Sequence, residues 1–181
     1  GEPALLAPGL RTLEQLTGRP TLGVLPWVPG LGLDAEDSLA LQAGPPAPLP
    51  ALGEETLRVA VIRLPLISNF TDVYALSIEP GIVLRYVTAP DQLADADLVI
   101  LPGTRATVAD LAWLRATGLA AAVQRAAAAG TPVLGICGGY QMLARRIHDE
   151  VESGAGSVEG LGLLPATVTF ARDKTLGRPV G

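Results

Sequence analysis

Residues 131–147, TPVLGICGGYQMLARRI, restrict the possible folds of this chain more than any other stretch. The apolar run at 132–136 reads as a short buried strand. Met142, Leu143 and Ile147 then place an apolar stripe on a following helix, predicted to continue through residue 148. Cys137 falls at the turn between them, flanked by Gly135, Gly138 and Gly139. A sharp strand-to-helix turn needs such neighbours, because glycine takes positive φ freely and lets other backbone approach closely. The first turn of a helix also carries unpaired N–H groups and the positive dipole end, which favour a thiolate and can hold an oxyanion. Two readings of Cys137 follow: a nucleophile elbow with sulfur in place of oxygen, or a small buried hydrophobe beside a glycine-rich turn.

The remainder of the chain supplies a sheet for that elbow. Residues 57–64, LRVAVIRL, are β-branched and apolar, as in a strand covered on both faces, and 82–87 and 97–101 read as two more strands. Val108, Leu111 and Ala112 give one helical stripe; Leu119 and Val123 give another, in an Ala-rich helix closed by Gly130. Strands alternating with helices predict an α/β fold with a doubly wound parallel sheet. Residues 67–72, ISNFTD, form a polar loop at the carboxyl end of a strand, where open α/β sheets bind ligands. In the LPGT turn, 101–104, Gly103 lets a backbone N–H face the space above the sheet edge. Residues 152–160 read as a Gly-rich loop and 161–170 as one or two strands.

Upstream, residues 5–16 carry apolar side chains at helical spacing, closed by Gly18 and Pro20, and 21–27 read as a short strand. Residues 43–50, AGPPAPLP, hold four prolines and suit a semi-rigid linker. The predicted organisation is therefore an α/β remnant at 1–42, a linker at 43–56 and a main domain at 57–181.

Bulk properties exclude several classes. A net charge of −5, a pI near 4.8 and scattered arginines oppose nucleic-acid binding, which needs clustered basic residues. The single cysteine cannot form an internal disulfide, and no stretch resembles a signal peptide or an apolar span of eighteen, so a reducing cytoplasm is expected. No GxxxxGK[ST] phosphate loop occurs.

The run GICGGYQML resembles the nucleophile motif of class I, or triad, glutamine amidotransferases, and within them the cobyric acid synthase family, glutamine-dependent ligases that amidate a corrin in cobalamin biosynthesis. ISNFTD is similar to a segment peculiar to that family. The resemblance implies Cys137 as nucleophile, the Gly103 and Gly138 N–H groups as the oxyanion hole, and Gln141, one helical turn after Cys137, as a contact to substrate glutamine. Tyr140 and Met142 are expected to pack. Residues 8–39 resemble the end of the family's ATP-binding synthetase domain. On that resemblance Pro26 and Trp27 lie near the nucleotide base and Glu36 and Asp37 near the synthetase site, with ATP and Mg²⁺ serving the parent protein; a packed Trp27 and a solvated acidic turn remain equal readings.

A cysteine amidotransferase needs a base, ordinarily histidine. The one histidine here, His148, lies eleven residues beyond Cys137 on the same predicted helix, roughly 16 Å along its axis, too far for a hydrogen bond of about 3 Å. The family's catalytic histidine comes from a later segment, so the chain reads as an internal fragment of a longer ligase, without metal ligands of its own. Three other readings stand: the ligase that amidates the corrin a and c positions, opposed by QML after GGY and by ISNFTD; a non-catalytic scaffold; and a free-standing cysteine hydrolase, opposed by residues 1–42 and the linker.

Overall fold

The computed structural model describes residues 3–24, 55–173 and 177. The chain divides into two compact units, residues 1–34 and 35–181. In the first, a 3₁₀ turn at Pro3–Leu6 leads into α1, Ala7–Thr17, which ends where Gly18 takes φ 65° and returns its N–H to Glu14 O. Glycine is the residue suited to that left-handed cap. The strand expected at 21–27 is not formed over Thr21–Val24, which are irregular, with the Thr21 N–H held by the Glu14 carboxylate at 2.7 Å. Residues 25–27, residues 43–54 of the linker, and Glu36 and Asp37 lie outside the described residues.

In the second unit four parallel strands form an open sheet in the order β2-β1-β3-β4: β1 Leu57–Ile62, β2 Ile82–Val87, β3 Leu98–Leu101 and β4 Val133–Gly135. Successive residues of the central strands serve opposite faces, because side chains alternate along a strand. Ala60, Ile62, Val99 and Leu101 join Leu111, Leu114, Leu119 and Val123 of α3 (Thr107–Ala116) and α4 (Leu119–Ala128). Val59, Val61 and Ile100 pack with Leu84 and with Val73, which closes the 3₁₀ turn Phe70–Val73 before the single-turn helix α2, Tyr74–Ser77. Both faces being covered, the near-continuous apolar sequence of β1 and β3 is what the architecture demands.

The elbow helix is shorter than expected. α5 covers Gly138–Leu143, and Ala144, in extended conformation, opens β5, Ala144–Asp149, with no intervening loop. β5 is the middle strand of a second, three-stranded sheet, antiparallel to β6 (Gly156–Glu159) and parallel to β7 (Leu164–Thr169). Ile147 and His148 are thus strand residues, which corrects the helix predicted through residue 148 and the axial distance drawn from it. Ile147 is spaced suitably for either reading, and pairing β5 on both edges satisfies backbone that a helix would have satisfied locally. Residues 156–159 of the expected loop are likewise strand. Among the described residues no helix is long and apolar enough to cross a membrane.

Candidate active site

The strand order changes direction between β1 and β3: from β1 the chain passes outward to β2, and after β3 it passes the other way to β4. In open α/β sheets the crevice outside the carboxyl ends of the strands at such a reversal is where ligands bind. Three segments meet there, residues 66–69 after β1, 102–107 after β3 and 137–141 after β4.

Cys137 occupies the elbow with φ 50° and ψ −113°, one of two non-glycine residues with positive φ among those described, and its side chain is exposed. A small buried hydrophobe therefore does not describe it. Such a backbone costs about 1–3 kcal/mol and persists only where surroundings over-determine it. Here they do. The Ile136 N–H bonds Leu101 O at 2.9 Å, the Gly139 N–H bonds Ile136 O at 2.8 Å, and the Gln141 N–H bonds Cys137 O at 3.1 Å. The flanking glycines are sterically required. A methyl group on Gly139 would sit 2.0 Å from Leu101 O, on Gly135 2.6 Å from Tyr140 Cα, and on Gly138 2.5 Å from Thr104 Cγ2.

Gly103 stands beside the cysteine: a methyl group on it would lie 3.8 Å from Cys137 Cβ and 3.0 Å from Ser68 Oγ. Its carbonyl accepts the Ser68 N–H at 2.9 Å. Gly138 faces the same turn, with the Thr107 hydroxyl 3.1 Å from where its β-carbon would be. Gln141, half-buried, accepts the Thr107 hydroxyl on Oε1 at 2.8 Å, which leaves its amide hydrogens to donate elsewhere. Met142 is buried as expected, whereas Tyr140 is an exposed neighbour of the elbow rather than a packed one.

Sequence reasoning missed the polar group under this turn. Asp110, on α3, is 1% exposed and accepts the Thr104 hydroxyl at 2.5 Å and the Leu66 N–H at 3.3 Å. Burial raises its pKa, and the two hydrogen bonds only partly offset that. The available signal was an acid beside Leu111 and Ala112 on the apolar stripe of a helix. His148, by contrast, lines a separate depression of about 490 Å³ with Glu150, Val151, Thr169, Phe170 and Arg172, and neither Cys137, Gly103 nor Gln141 contributes to it. No cluster of three or more His, Cys, Asp or Glu able to hold a metal occurs among the described residues.

These features define a class: an open parallel α/β protein with a cysteine on a strained elbow above the point where the strand order reverses. Within that class, residues 58–181 match the CobB/CobQ-like glutamine amidotransferase domain, and the chain belongs to that family. Among curated relatives, a cobyric acid synthase of Mycolicibacterium paratuberculosis is 63% identical over 180 residues, 98% of this chain and 36% of its own length. One of Streptomyces avermitilis is 59% identical over 185 residues, covering 100% of this chain and 37% of its own. The chain thus spans little more than a third of the relatives it matches. A Listeria monocytogenes EGD-e protein described as a candidate peptidase E superposes with a TM-score of 0.50 at 14% identity, over 63% of this chain and 66% of that one, a likeness of fold alone.

Proposed function

We infer that this chain is the glutamine-hydrolysing part of a cobyric acid synthase. The observation that carries the reading is the exposed, positive-φ Cys137 beside Gly103 at the reversal of strand order, in a chain of the amidotransferase family. Cys137 Sγ attacks the side-chain amide carbon of glutamine, and the resulting oxyanion is held by the Gly103 and Gly138 N–H groups. Ammonia departs with an added proton, leaving a thioester that water cleaves to glutamate and free thiol. The Gln141 amide, fixed by Thr107, donates to the substrate. The relatives' names and the match over nearly the whole chain favour cobyric acid synthase over the a,c-diamide ligase. Residues 1–42 then represent the tail of an ATP- and Mg²⁺-dependent synthetase domain, 43–56 a linker and 57–181 the amidotransferase domain, with ammonia passed to corrin carboxylates in the cytoplasm.

The base that takes the thiol proton and protonates ammonia is not His148, which lines the other depression. Residues 1–181 alone are therefore expected to show no glutaminase turnover above background, and His148→Ala to leave a parent ligase unimpaired. A base-independent test of the cysteine uses the chloromethyl ketone analogue of glutamine, which alkylates a thiol with loss of chloride. Mass spectrometry should find Cys137 modified saturably, with glutamine protecting and asparagine not. Labelling that glutamine fails to suppress would refute the reading.

A further inference from the structure

We propose that Asp110 is a positioning residue for the amidotransferase reaction, locking the Gly103 turn against the 66–69 segment so that the Gly103 amide stays aimed beside Cys137. The inference rests on the proposed function and deepens it.

The carboxylate lies beneath the turn, away from the face that a substrate would occupy. It gathers segments far apart in sequence: Thr104, six residues before it, and Leu66, 44 residues before it, bond the same Oδ2. The Thr104 hydroxyl in turn accepts the Ala106 N–H at 3.1 Å and lies 3.2 Å from Leu66 O. Backbone pairing completes the clamp, with an isolated antiparallel bridge between Ile67 and Thr104, the Arg105 N–H on Leu66 O at 3.0 Å and the Ser68 N–H on Gly103 O at 2.9 Å. Gly103 is thus held at its own carbonyl and at the next residue's side chain. The Thr104 methyl also meets Gly138, so one residue touches both glycines assigned to the oxyanion.

A carboxyl group this deeply buried is costly unless it is hydrogen-bonded, and the Thr104 hydroxyl and the Leu66 N–H supply those bonds. Away from the active site the same loop connection could be made by an apolar contact. A misplacement of about 1 Å at reacting groups can cost roughly 10²-fold in rate, which gives a rigid turn its value here.

The test measures inactivation of the 181-residue chain by the chloromethyl ketone analogue of glutamine, whose ketone oxygen takes the place of the amide oxygen. Sulfur bonds the methylene carbon, chloride leaves, and the thiol proton passes to solvent. Thr104→Val keeps the shape and the methyl against Gly138 but removes the hydroxyl; it should lower the maximal inactivation rate at least about tenfold, with the half-saturating concentration changed less than about twofold. Alkylation of Cys137 by iodoacetamide, which needs no aligned carbonyl, should be unaltered in the folded variant, although loss of the buried hydrogen bonds should lower the melting temperature. Asp110→Ala should act likewise. Asp110→Asn, whose single carbonyl oxygen can accept both bonds, should recover most of the lost rate, and the Thr104→Val/Asp110→Ala pair should be no slower than the worse single variant. Should Asp110→Ala fail to fold, Thr104→Val decides. An unchanged maximal rate in folded Thr104→Val, or a defect confined to half-saturation or shared by iodoacetamide, overturns the inference. Failure of glutamine to protect the unsubstituted chain refutes the proposed function instead.

Discussion

The glycines around Cys137 are fixed by what surrounds them rather than by any need for flexibility. At Gly139 an added methyl group would drive into Leu101 O at 2.0 Å, contact with backbone that cannot rotate away. Gly139→Ala is therefore expected to destabilise the fold by about 3 kcal/mol or more, at or beyond the upper range for inserting volume into a packed core. Gly9→Ala provides the contrast, since nothing lies within 4 Å of that position inside α1. It should raise helix stability by roughly 0.5–1 kcal/mol. Urea unfolding followed by circular dichroism measures both, and an unchanged midpoint for Gly139→Ala would contradict the close strand-to-helix packing. The elbow residues were legible in the sequence because glycines flank the cysteine on both sides and GICGGYQML resembles a nucleophile motif, whereas spacing alone left a buried hydrophobe open. Thr107 and Asp110 were not, since one bonds a residue 34 positions away and the other a residue 44 away, and no local pattern encodes such partners.

At the scale of elements, the four parallel strands and α3 and α4 were readable from apolar runs and stripes, and their ends shifted by only a residue or two. The second sheet was harder. β5 alternates weakly, with two arginines side by side on exposed positions, and it follows a helix without a turn signal. Its strand character comes from β6 and β7 on either side, so tertiary pairing overrides local preference. Gly160 seals this arrangement, because a methyl there would lie 1.9 Å from Ala144 O at the start of β5. Gly160→Ala should thus loosen the second sheet first. Hydrogen exchange should show faster exchange at Ile147 and Val158, with the amides of β1 and β3 still protected; uniform loss of protection would mean that the two sheets unfold as one. The direct junction at Leu143 and Ala144 also leaves no slack. Inserting one residue within β5 would move Ile147 from the core face to the outer face.

For the whole molecule, acid stability depends on carboxylates with opposed shifts. Hydrogen bonds from Arg58, which also pairs with it at 2.9 Å, lower the Asp97 pKa from the ordinary 3.8 to about 2. Its contribution is present above the unfolded value and lost as pH falls from about 4 to about 2. At Asp149, burial pulls the pKa up, but bonds from Ser153 and the N–H groups of residues 151–153 hold it below 3.8, so it acts in the same direction. Asp110, raised by burial, opposes both: its contribution is complete below the unfolded value and declines as pH rises through its folded pKa. Asp97→Asn should lower the melting temperature at pH 7, with the deficit closing near pH 2. Asp110→Asn should compare more favourably with the unsubstituted chain at pH 7 than at pH 3. Parallel melts across that range check both signs. The order of the strands has a consequence in time as well as in space. The site draws on residues 66 to 141, and a ribosome adding about 5–20 residues per second takes on the order of 4 to 15 s to make that interval. Over its first part the Leu66 segment waits for partners not yet synthesised, the last of them Asp110, and the last piece of the site to arrive is the helix that follows the cysteine.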